Sequence, residues 1–157
     1  MNRKPSLHSL ILSIALCAAG AGHGSASALT TTPGNTCRAQ GPVNTAGDIL
    51  WISTPSLFNA SSTQSVNIVC PVMRTIAAPS SGYSVWLDGY SPAGMSCSFI
   101  SYNYNVNLLG RTLYTIPAGT FDILMTLPAS LVPTYSTQVI SCNLPPGGQI
   151  FDIEPVQ

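Results

Sequence analysis

The stretch Phe121-Asp122-Ile123-Leu124-Met125-Thr126-Leu127 puts Phe121, Ile123, Met125 and Leu127 on one side of an extended chain, with polar residues between them. A period of two marks a strand buried on one face. Gln138-Val139-Ile140-Ser141-Cys142-Asn143-Leu144 repeats the pattern, with Ile140, Cys142 and Leu144 as its inward set. Working outward from these two segments (120–127 and 136–144), six more strands are expected at 49–52, 65–70, 83–88, 95–106, 111–116 and 149–154. Pro, Gly, Ser, Thr and Asn separate them, and no window is long and periodic enough for a helix. Antiparallel strands with short turns must bury one face of each sheet, which two packed sheets achieve. The expected fold is all-β, an antiparallel β-sandwich of about eight strands, jelly-roll-like or Greek-key. Pro145-Pro146-Gly147-Gly148 is a turn signal, so the last two strands are expected to form a hairpin.

Composition narrows the chemistry. The chain has 157 residues, of which only 6% are charged. Residues 1–28 read as a signal peptide: Arg3 and Lys4 are basic, Leu7 to Cys17 is a short apolar core, and Ala26-Ser27-Ala28 is a small-residue cleavage pattern. Residues 29–36 then read as a flexible leader and 37–157 as a single β-sandwich domain. Both histidines and the only lysine lie in the signal segment, leaving Arg38, Arg74 and Arg111 against Asp48, Asp88, Asp122, Asp152 and Glu154. Histidine-based catalysis, Ser-His-Asp triads, histidine-ligated metals and lysine Schiff bases are thereby excluded. Clustered basic residues for nucleic acid are absent as well.

Cys37, Cys70, Cys97 and Cys142 remain, an even number in an exported chain, which predicts two disulfides rather than a zinc site. Cys97 and Cys142 each sit in an alternating strand with apolar neighbours two residues away, so they are expected to pair inside the core. Cys37–Cys70 would then tie down the N-terminal end. Cys70–Cys142 with Cys37–Cys97 is the alternative, because Cys70, Trp86 and Cys142 loosely follow immunoglobulin spacing. Ile140, however, stands where that fold's corner tyrosine belongs.

Ile68-Val69-Cys70-Pro71-Val72, Val85-Trp86-Leu87-Asp88, Ser96-Cys97-Ser98-Phe99 and Ile140-Ser141-Cys142-Asn143-Leu144-Pro145-Pro146-Gly147-Gly148 follow one another in an order that resembles a group of small uncharacterised secreted bacterial proteins. The resemblance spans about 66–154. It implies export, disulfides and a sandwich, and it carries no activity or site residue across.

Several side chains are candidates for a site. Tyr102, Asn103, Tyr104, Asn105 and Asn107 form a run in which tyrosines face one way and asparagines the other, a surface suited to sugar hydroxyls. Asp152 and Glu154 share a strand face, with Cα atoms ~6.5–7 Å apart, and read as the solvent side of the last strand. Asp88-Gly89 reads as a turn whose single carboxylate falls short of the ~6–8 oxygens calcium takes. Asn59-Ala60-Ser61 has the form of a glycosylation site.

These features read as a secreted (periplasmic or extracellular), non-catalytic binding or surface-interaction module. Its expected partner is a glycan or another surface protein. It needs no cofactor or metal, binds no nucleic acid and does not insert in a membrane once the signal is removed. A structural or assembly subunit of an envelope or extracellular structure is the alternative. Export should remove residues 1–28, so the intact mass of the secreted protein should correspond to a chain starting at Leu29. A secreted form that keeps Arg3 and Lys4 would refute the cleavage.

Overall fold

The computed structural model describes residues 31–40, 49–51, 55–74 and 80–156, and the expected signal segment and Asp48 lie outside them. The elements are β1 (Thr32–Pro33), a 3-10 turn (Gly34–Thr36), β2 (Arg38–Ala39), β3 (Ile49–Trp51), β4 (Leu57–Asn59), β5 (Val66–Val72), β6 (Tyr83–Ser91), β7 (Met95–Asn103), β8 (Leu108–Ile116), β9 (Gly119–Leu127), a 3-10 turn (Ala129–Leu131), β10 (Ser136–Leu144) and β11 (Gln149–Pro155). All pairings are antiparallel. One sheet runs β3-β4-β11-β6-β9, with β1 added to β11, and the other runs β2-β5-β10-β7-β8.

Alternation builds the core between the sheets. The first sheet turns Tyr83, Val85, Leu87, Phe121, Met125, Leu127, Ile150 and Ile153 inward, and the second turns in Ile68, Cys70, Cys97, Phe99, Ile140, Cys142 and Leu144. Tyr83 and Phe99 meet with ring centroids 6.2 Å apart. At their side, Tyr114 of β8 reaches β9. Its hydroxyl donates to the Thr126 carbonyl at 3.0 Å and accepts from the Thr126 N–H.

Both disulfides lie in the second sheet and follow the expected pairing. Cys142 is directly opposite Cys97 in the β10–β7 register, and the two are bonded. Cys37, one residue before β2, is bonded to Cys70 of β5. The immunoglobulin-like alternative is ruled out, since Cys70 pairs with Ile140 across β5 and β10 and Trp86 faces outward, 37% exposed.

Three expectations are corrected, and a further position, Asn59, proves closed to glycosylation. Residues 31–36 are not a loose leader: β1 pairs with β11, Thr32 and Gly34 are buried, and a Cβ on Gly34 would come within 2.2 Å of the Ile150 carbonyl. β10 and β11 do not form a hairpin. Both edges of β10 are already taken by β5 and β7, so the Pro-Pro-Gly-Gly turn carries the chain to the other sheet. Asn59 is fully buried and its amide donates to the carbonyls of Gln64 and Leu144, which leaves no acceptor for a glycan. Finally, β7 ends at Asn103, so the strand expected through 106 turns back earlier.

The Cys97–Cys142 bond closes a 45-residue separation, which limits the unfolded chain by about 4 kcal/mol in the chain-entropy account. The double variant Cys97→Ala/Cys142→Ala should therefore lose about 2–5 kcal/mol in urea denaturation. A loss under about 1 kcal/mol would show that the core holds this register unaided.

Candidate functional site

The outer face of the first sheet gathers four of the five acidic side chains that follow residue 28. In register, Asp152 of β11 lies opposite Asp88 of β6, and Asp88 lies opposite Asp122 of β9. Three aspartates thus form a row across three neighbouring strands, and Glu154 stands opposite Trp86 one step along. Carboxylate oxygens of Asp88, Asp152 and Glu154 come within 4.8 Å of one another.

A bulge makes this arrangement. Strict alternation would turn Phe151 and Ile153 inward together, as the sequence suggested. The register shifts between Ile150 and Asp152, so Ile150 and Ile153 both enter the core. Phe151 is the extra residue, half-buried at the side of the acidic row. Bulges re-aim side chains in this way.

Asp88-Gly89 is not a turn. It lies within β6, and Gly89 is required there by close packing: a Cβ would fall 2.3 Å from the Gln149 carbonyl and 2.5 Å from the Phe121 ring. The sequence reading took Asp-Gly at its commonest meaning, whereas here glycine admits a neighbouring backbone and ring.

Together these side chains line a groove of about 620 Å³, formed by Trp86, Asp88, Thr120, Phe121, Asp122, Phe151, Asp152 and Glu154. Among the described residues, no cationic side chain lines it. Like charges directly opposite one another repel, and the protein answers by keeping a proton. Burial pushes the Asp88 carboxyl from its ordinary 3.8 up to about 7, helped by a hydrogen bond with Asp152 and by the charges of Asp122 and Asp152. The clustering also corrects the reading of Asp88 as a single carboxylate, since among the described residues Asp88, Asp152 and Glu154 form a set that could meet around a cation.

The residues expected to bind sugars are divided. Tyr102 is half-buried on β7. The Asn103 Oδ1 accepts the N–H groups of Asn105 and Asn107 at 3.0 and 2.9 Å, so the asparagines build a turn instead of an amide ladder. Tyr104 is exposed beyond the strand end. The aspartate row was not found from the sequence, because Asp88 is 34 residues from Asp122 and 64 from Asp152 and meets them only through strand register.

The sequence matches no family model and no curated relative. Among solved structures, a family 61 carbohydrate-binding module in complex with β-1,4-galactotriose superposes with a TM-score of 0.51 at 10% identity, covering 80% of this chain and 91% of that one. The enzymatically active domain of tailspike protein 4 from bacteriophage CBA120 gives 0.45 at 13% identity, covering 64% of this chain and 15% of that one. A family 4 carbohydrate-binding module gives 0.35 at 10% identity, covering 78% and 89%. The likeness to the family 61 module is one of fold.

The proton on Asp88 has a thermodynamic consequence. A carboxyl whose folded value lies above its unfolded one stabilises the fold fully below 3.8, and that contribution is lost as the pH rises through about 7. Thermal stability should fall from about pH 4 to about pH 7 and level off above, and Asp88→Asn should flatten that slope and melt higher than wild type at pH 8. Parallel melting curves for the two proteins across this range would refute the shared proton.

Proposed function

We propose that this protein is a non-catalytic binding module that holds an uncharged saccharide in the groove over β6, β9 and β11. The observation that carries the proposal is the exposed Trp86 ring beside a row of carboxylates. An indole face packs against the C–H face of a sugar ring, and carboxylate oxygens accept hydrogen bonds from its hydroxyls. The same carboxylates repel uronic acids and sulfated sugars. Because they lie in a sheet, with Asp88 on β6 flanked by paired strands on both sides, their positions are set by the backbone, which lowers the ordering cost of binding.

The two disulfides point to folding in an oxidising compartment. Export by the N-terminal segment is part of the proposal.

The family 61 module of the same fold was solved with β-1,4-galactotriose, so that trisaccharide is the first ligand to test, followed by other neutral oligosaccharides. Calorimetry should show saturable binding of a neutral oligosaccharide, weakened at least about tenfold in Trp86→Ala. Binding confined to anionic glycans, or undiminished in Trp86→Ala, would overturn the assignment.

A further inference from the structure

A second hollow lies at the end of the five-stranded sheet, between the β7–β8 turn and the segment leading into β10. It measures about 310 Å³ and is lined by Asn103, Tyr104, Pro133, Thr134 and Tyr135, none of them charged. Tyr104 and Tyr135 are 77% and 78% exposed. One exposed ring is ordinary, but two large rings on the same hollow form the kind of patch that marks a binding surface.

Both walls are built in advance. On one side, Asn103 anchors the turn. Its Oδ1 takes two backbone N–H groups, its backbone N–H donates to the Asn107 carbonyl, and its carbonyl accepts from Val106. Val106 is held at φ 62°, the one non-glycine residue at positive φ among those described. A β-branched residue there is an outlier, and such strain collects where a loop is held for a purpose. On the other side, the Arg74 guanidinium donates to the Pro133 carbonyl at 2.8 Å and to the Ser136 hydroxyl at 3.2 Å, and Ser136 donates to the Pro133 carbonyl at 2.7 Å. The tyrosines therefore stand on fixed supports, and a ligand need not pay to order them.

We propose that this hollow is a second saccharide site, taking one or two neutral sugar rings against Tyr104 and Tyr135. Its chemistry differs from that of the groove. Tyrosine faces stack on the C–H face of a pyranose while their hydroxyls stay wet, and Thr134 and the Asn103 amide nitrogen supply uncharged hydrogen-bonding groups. The five residues that line it are uncharged, and the Arg74 guanidinium behind the wall is engaged by the Pro133 and Thr134 carbonyls. The volume is at the lower end of the ~300–1,000 Å³ of ligand cavities, which suits a short saccharide end over an extended chain. The two sites share no residue and belong to different sheets, so this one stands whether or not the groove binds sugar.

The test is an NMR titration of the full disulfide-bonded chain with β-1,4-galactotriose, cellotriose and mannotriose, in wild type, Tyr104→Ala, Tyr135→Ala, Tyr104→Phe and Trp86→Ala. Resonances of residues 103–105 and 133–135 should shift saturably with at least one trisaccharide in wild type, Tyr104→Phe and Trp86→Ala. Either alanine variant at a tyrosine should weaken that response at least about tenfold with an unchanged melting temperature. No saturable shift at these residues with any of the three trisaccharides would overturn the site. Loss of the response in Trp86→Ala would overturn its independence from the groove.

Discussion

Cys142 lies opposite Cys97, and the bond between them fixes the register of β10, the central strand of its sheet, against β7. A slip of one residue would turn Ile140, Cys142 and Leu144 to solvent and bring Val139, Ser141 and Asn143 into the core. A chain with so few charges has little else to penalise such a slip, since polar uncharged faces tolerate misregistration. With β10 fixed, β5 takes its other edge, and Cys37–Cys70 secures the strand beyond. The first sheet has no covalent link and depends on packing against this framework, through contacts such as Tyr83 on Phe99.

In that first sheet, geometry produces the chemistry. The bulge at Phe151 lets β11 bury Ile150 and Ile153 and still present Asp152 and Glu154 outward beside Asp88. A row of three aspartates opposes folding once all are ionised, so the fold tolerates a cost that apolar or alternating-sign pairs would remove. Proteins tend to violate local rules at sites that do something. The row also lies beside the exposed Trp86, and nothing in the core requires either feature.

Much of the architecture was legible in the sequence, because alternation is a local signal. The seven longer strands, β5 to β11, lie within a few residues of their expected bounds, and Cys97 and Cys142 were read as partners from their apolar neighbours at i ± 2. The short strands β1, β2 and β4 were invisible, since two or three residues cannot display a period. The hairpin of β10 with β11 was misjudged for a related reason: a turn motif tells where a chain reverses, not which sheet receives it. The acidic site failed on the same ground. Asp88, Asp122 and Asp152 become neighbours through register alone, and Asp88-Gly89 imitates a turn. Asn103 and Tyr104 stand out in the sequence as neighbouring polar and aromatic residues, but Tyr135, which lines the same hollow, lies across a loop that no pattern connects to them.

Tyr114 gives the molecule a safeguard at its margin. β9 is the outer strand of its sheet, nine residues long and without proline, and such a border invites a strand from another molecule. The Tyr114 hydroxyl takes up both backbone groups that Thr126 turns outward. An incoming strand would have to evict a ring anchored in the facing sheet before it could zip along β9. One phenol thus occupies the border at Thr126, the point where a strand pairing along β9 would meet it.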